Sequence, residues 1–159
     1  MKLLMAVMYN DKESCNKAVD ELKSQFGEIV DESAEYDFNF TDYYEKESGK
    51  NLKKKFLSFK KTITKEELSK IRLMTGNIED KFRIKNKRTV NIDPGYISKE
   101  GVFMASVKKK RFKTLIKNGI YLHKVLSFEG DKLVELNYTF ADYKQNKVKE
   151  FLFRISKLI

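Results

Sequence analysis

Two short stretches of this 159-residue chain repeat one chemistry-bearing pattern: Phe40-Thr41-Asp42-Tyr43 and Phe140-Ala141-Asp142-Tyr143. Each sets a carboxylate between aromatic rings. A carboxylate so placed can hold a hard cation such as Mg²⁺ or take a proton as a general base, and the flanking aromatic side chains can hydrogen-bond and stack. Asp93, within Asn91-Ile92-Asp93-Pro94-Gly95-Tyr96, is a third carboxylate of this kind. Short acidic side chains also cap turns and helix starts. Capping carries most of the weight for Asp93, which precedes Pro-Gly, and slightly more than half for Asp42 and Asp142, because two tyrosine-flanked copies are harder to explain that way. Each copy follows a strand-like stretch and leads to an apolar, Phe-containing run (Phe56-Leu57-Ser58-Phe59 and Phe151-Leu152-Phe153), which hints at two related halves.

His123 is the one histidine, two residues after Tyr121, so both project from one face of a strand. Without a second histidine or a reactive thiol it forms neither a His-based zinc site nor a Cys-His dyad within the chain. It reads as a surface or sheet-face histidine. Lys108-Lys109-Lys110-Arg111 with Phe112, and Lys53-Lys54-Lys55 with Phe56 and Phe59, set cations beside aromatics, a mixture that grips phosphates and stacks bases. The alternative, favoured here, is a solvated lysine face beside core phenylalanines. A standard RNA-recognition sheet is disfavoured: Leu3 to Met8 has no central aromatic, and Phe56 and Phe59, three apart, face opposite sides of a strand.

The net charge of +10 favours polyanionic partners. Only five of the 33 basic residues are arginine, and this lysine excess reads first as compositional bias. Cys15 is the one cysteine, so no intramolecular disulfide forms. No apolar run approaches the roughly 20 residues that span a bilayer, and the apolar start reads as a buried strand, not a secretory signal. A cytoplasmic protein with no membrane partner is expected.

The elements that must position these groups follow from periodicity. Residues 2 to 9 form a first strand. Cys15, Ala18, Val19, Leu22 and Phe26 recur at helical spacing behind Asn10-Asp11, with Gly27 as the stop. The chain is extended from Ile29 to Phe40, with Tyr36, Phe38 and Phe40 on one face, and a strand follows at 53 to 62. Thr64-Lys65-Glu66-Glu67 is a capping box ahead of a stripe of Leu68, Ile71, Thr75, Ile78 and Phe82. Residues 89 to 93 alternate as a strand that breaks at Pro94-Gly95. This order predicts an α+β fold with a ferredoxin-like β-α-β-β-α-β core in residues 1–95 of a single domain. Residues 96–159 form a β-rich extension: strands at 102–107, 111–117, 120–128 and 132–138, a hairpin turn at Asn118-Gly119, and a C-terminal helix with Val148, Phe151, Leu152, Ile155 and Leu158 on its apolar face.

The chain resembles an uncharacterised prokaryotic family, a domain of unknown function sometimes labelled "GTP-binding protein". The matching pieces are Phe40-Thr41-Asp42-Tyr43-Tyr44, Phe56-Leu57-Ser58-Phe59, Leu73 to Glu79, Val90 to Tyr96, Ala105-Ser106 with Lys108, Gly119-Ile120-Tyr121 and Asp142-Tyr143. The resemblance implies no activity. Neither G-x-x-x-x-G-K-[ST] nor G-x-G-x-x-G, the glycine loops that wrap phosphates, occurs in the chain.

The expected function is a module binding a polyanionic ligand, whether RNA, a nucleotide or another phosphate compound. One alternative is an enzyme on a phosphorylated or nucleotide substrate, with Asp42 and Asp142 in the site and Tyr43, Tyr96 and Tyr121 orienting the substrate. The other is a protein-interaction scaffold. Ligand-binding candidates are Asp42, Tyr43, Asn91, Asp93, Tyr96, Lys108, Tyr121, Asp142 and Tyr143, with Lys109, Lys110 and Arg111 as nucleic-acid candidates. The sequence names no cofactor, metal or oligomeric state.

Overall fold

A computed structural model describes residues 1–41 and 45–159. Helices α1 (Lys12–Phe26), α2 (Glu45–Ser48), α3 (Lys65–Lys81) and α4 (Asn146–Ser156) accompany nine strands: β1 (Lys2–Tyr9), β2 (Ile29–Glu32), β3 (Tyr36–Asp37), β4 (Lys53–Thr62), β5 (Val90–Ser98), β6 (Gly101–Ser106), β7 (Thr114–Lys117), β8 (Ile120–Glu129) and β9 (Lys132–Glu135). The strands form one sheet in the order β2-β4-β1-β5-β6-β8-β7, with β3 on β4 and β9 on β8, and every pairing is antiparallel. The fold is α+β.

Local chemistry explains the elements. Asp11 caps α1 by accepting from the Ser14 N–H at 2.9 Å, and Gly27 ends it at a φ of +91°. Thr64 and Glu67 close the capping box at the start of α3. Asn118 and Gly119, both at positive φ, turn β7 into β8. Every residue of β1 is buried because β1 is central and covered on both faces. Alternation along it divides the core. Leu3, Met5 and Val7 pack with Cys15 and Leu22 of α1 and Leu68 and Ile78 of α3. Leu4 and Ala6 pack on the opposite face with Phe56, Tyr143, and Phe151 and Ile155 of α4. As their spacing requires, Phe56 and Phe59 of β4 serve opposite faces.

Several expectations need correction. The strand expected to break at Pro94-Gly95 runs through to Ser98, so the boundary drawn at 95 falls inside β5. Pro94 is tolerated because it stands opposite Met5 of β1 but precedes the first pair with β6, Gly95–Met104. The two Phe-containing runs are not equivalent: Phe56-Leu57-Ser58-Phe59 is in strand β4, whereas Phe151-Leu152-Phe153 is in helix α4. The chain therefore does not consist of two structurally matching halves. Leu158 lies beyond α4 and is exposed. Among the described residues, no helix is long and apolar enough to cross a membrane.

Candidate functional site

Proline 94 shapes the site. The β5–β6 hairpin closes on Ser98–Gly101 around a two-residue turn, so hydrogen-bonding positions recur at Ser98, Tyr96 and Pro94. Proline has no N–H to donate, and the ladder stops there. Beyond this point β6 stays with β8 as far as Ser106, while β5 stays with β1. Asn91 and Asp93 on β5, and Ala105 and Ser106 of β6 with Val107 and Lys108 just beyond it, line a cleft of about 580 Å³. The cleft lies toward the face that α4 covers elsewhere. Arg72 enters its lining from α3, which packs on the opposite face.

Both copies of the repeated phrase reach this cleft. Phe40 and Thr41 line it from the first copy, and Phe140 to Tyr143 from the second. Phe40 and Phe140 are 38 % and 44 % exposed, which leaves two aromatic surfaces for a ligand to cover. Asp42 and Tyr43 lie outside the described residues.

Asp142 is deeply buried. Its Oδ2 accepts from Tyr36 Oη at 2.8 Å and Lys54 Nζ at 2.6 Å. The Lys54 ammonium also stands 5.2, 5.5 and 5.0 Å from the ring centres of Phe38, Phe56 and Tyr143. Burial, then the Asp142 charge, pushes the Tyr36 hydroxyl far above its usual range, so it stays protonated as a donor. Asp142 thus ties the Ala141–Lys144 turn to β3 and β4, and its carboxylate is occupied rather than capping a helix.

On the cationic side, Arg88 donates to Asn91 Oδ1 at 3.0 Å, and Asn91 donates from Nδ2 to Asp93 Oδ2 at 2.9 Å. Arg88 also stands 4.0 Å from Glu79, a buried carboxylate that accepts from the Ile92 N–H at 2.6 Å. Burial raises the Glu79 carboxyl above its ordinary range. Among the described residues the half-buried Arg72 guanidinium makes no hydrogen bond or ion pair, and its charge acts on the nearby Glu79 carboxyl. With Lys54 and Lys108, the lining holds four cations against the carboxylates of Asp93 and Asp142.

His123 stands on β8, on a face of the sheet as expected, but it is fully buried rather than at the surface. Its Nε2 lies 3.1 Å from the Tyr138 carbonyl oxygen, which can only accept, so Nε2 carries the hydrogen. Phe112, Tyr138 and Phe140 surround the ring at centroid distances of 5.1, 5.6 and 4.6 Å. Burial, then the Lys113 charge, pushes its pKa down to about 4, and the imidazole is neutral at pH 7.

Of the expected residues, Asn91, Asp93, Lys108, Asp142 and Tyr143 meet at the cleft. Tyr96 does not. Alternation along β5 turns it to the α1/α3 face, where it stacks on Phe103 at 4.9 Å and burial pushes its hydroxyl up to about 12. Half-buried Tyr121 is outside the lining, as are the exposed Lys109, Lys110 and Arg111 between β6 and β7. Sequence reasoning missed Arg72 and Arg88 as site residues. Arginine's rarity was the available signal: two of only five arginines reach one cleft. Among the described residues, no cluster of three or more His, Cys, Asp or Glu side chains is placed to hold a metal ion.

The chain matches one family model, a domain of unknown function (DUF4416), over residues 1–158. Neither a curated protein nor a solved structure matches it.

Proposed function

The chain belongs to the DUF4416 family, a domain of unknown function, and from that premise we propose that its cleft binds a nucleotide, the aromatic base against Phe40 and Phe140 and the phosphate on Arg72 and Arg88. One observation carries this reading: two part-exposed phenylalanines and two arginines line the same cleft of about 580 Å³. That volume is within the range of small-molecule sites. Aromatic faces accept any base by stacking. The guanidinium fork matches phosphate oxygens better than an ammonium does, which gives meaning to arginine in so lysine-rich a chain.

An enzyme acting on the same class of ligand is the second reading. It draws on Asp93, the half-buried carboxylate of the cleft that Asn91 orients, since Asp142 is engaged by Lys54 and Tyr36. We further propose that the β2-β4-β1-β5 part of the sheet is a ferredoxin-like core. Its support is that strand order, with α1 and α3 packed on one face. A cytoplasmic location fits the single, unpaired Cys15.

Calorimetric titration with AMP, CMP, GMP and UMP tests the main proposal. At least one should bind, with affinity falling about tenfold or more on Arg72→Met and falling again as salt is raised. No binding by any of the four, or binding indifferent to Arg72→Met, overturns it. Release of inorganic phosphate or base from the bound nucleotide, lost in Asp93→Asn, would select the enzyme reading.

A further inference from the structure

Three buried side-chain atoms among the described residues have no hydrogen-bond partner: Ser58 Oγ, Tyr96 Oη and His123 Nδ1. Only His123 belongs to a residue that lines the cleft. Its other nitrogen is committed as a donor to the Tyr138 carbonyl at 3.1 Å, so Nδ1 holds a lone pair and can only accept. A buried acceptor left empty is costly, and most buried polar atoms in folded proteins have partners. Around it stand the rings of Phe112, Tyr138 and Phe140, none of which offers a donor to Nδ1.

We infer that His123 Nδ1 is a specificity determinant for the ligand, accepting a hydrogen bond from an amino group on the edge of the base. The inference rests on the nucleotide reading of the cleft and narrows it to amino-bearing bases. Phe140 is both a wall of the cleft and the edge-on neighbour of the imidazole, with centroids 4.6 Å apart; Nδ1 itself is closed to solvent, so a base stacked on Phe140 reaches it by shifting that part-exposed ring. An amino group there fills the empty acceptor. A keto oxygen at the same position sets lone pair against lone pair and is rejected. The discrimination needs no charge on the histidine, and the Tyr138 carbonyl keeps the tautomer fixed.

The test compares each amino nucleotide with its deaminated partner, AMP with IMP and CMP with UMP, on the full chain. For the nucleotide that binds, the amino form should bind about tenfold or more tightly, and His123→Phe, which removes the lone pair that accepts from the amino form and repels the keto form, should erase most of that preference. Nitrogen NMR of the native protein reads the same contact without a variant: the His123 Nδ1 resonance should show the unprotonated tautomer and move upfield on binding. Equal affinity for amino and keto partners, or binding that leaves Nδ1 unmoved, overturns this inference alone. Failure of every nucleotide to bind overturns the nucleotide reading as well.

Discussion

Lys54 Nζ and Asp142 Oδ2 stand 2.6 Å apart across 88 residues of sequence, with both side chains nearly shut off from water. The pair joins strand β4 to the turn before α4 and fixes one wall of the cleft. Removing one partner of such a pair leaves a buried charge uncompensated. Asp142→Ala should therefore cost about 3–5 kcal/mol in urea unfolding. The double variant with Lys54→Met should recover much of that loss, since it strands no charge. A single-variant cost below about 1 kcal/mol would mean that the pair behaves like a surface ion pair.

Gly95 stands at the start of the β5–β6 ladder, where a Cβ would collide with the Phe103 carbonyl oxygen and the Met104 sulfur. The backbone oxygen cannot turn aside as a side chain would. Gly95→Ala should cost about 2–3 kcal/mol and shift β6 against β5, widening the fork that forms the cleft. Gly119→Ala provides the comparison, with open space around the new methyl but a φ of +72°. Its strain of about 1–2 kcal/mol is local to the β7–β8 turn. Denaturant midpoints separate the two, and hydrogen exchange at Phe103 and Met104 should quicken only in the first.

The periodic parts of the fold were legible in the sequence because period and caps are local. The Cys15-to-Phe26 stripe, the Thr64–Glu67 box and Asn118-Gly119 each declared an element without tertiary help. Pro94 was misread because its tolerance depends on where a neighbouring strand ends, which no local pattern records. Lys54 and Lys55 looked like part of a solvated run, yet both are buried, each beside a carboxylate, Asp142 or Glu32. Arg72 lies off the apolar stripe of α3 and gains its meaning only from the fork across the sheet. Composition reported that arginine was scarce, and only the fold reported where it gathers.

The buried imidazole of His123 should make stability depend on pH in a definite direction. Its pKa is about 4 in the folded chain against 6.5 for an ordinary histidine. Between those values the unfolded chain binds the proton and the folded one does not, so stability is full above about pH 6.5 and falls as pH drops toward 4. The limit is roughly 3 kcal/mol, at 1.36 kcal/mol for each pH unit. Glu79 acts oppositely: its raised pKa favours the folded state at low pH and loses that contribution as pH rises above its ordinary 4.5. Comparing His123→Phe with the native chain isolates the histidine, and the native-minus-variant stability should shrink between pH 6.5 and 4. A constant difference would mean that the ring is protonated as easily folded as unfolded.

Phe40 and Phe140 share the first position of the repeated phrase, and both present part of a ring to the cleft. If they hold a base, Phe40→Leu and Phe140→Leu keep apolar volume but remove the stacking face. Each should then weaken nucleotide binding by roughly 1 kcal/mol, about fivefold in Kd. Phe153→Leu is the control, since Phe153 lies on α4 away from the cleft, under Lys157. The two cleft variants should leave the salt dependence of binding unchanged, because phosphate contacts and stacking are separate contributions. Arg72→Met should flatten that dependence while leaving base preference intact. Phe40 and Phe140 variants that bind as tightly as the Phe153 control would remove the base from this cleft and leave it a site for the phosphate alone.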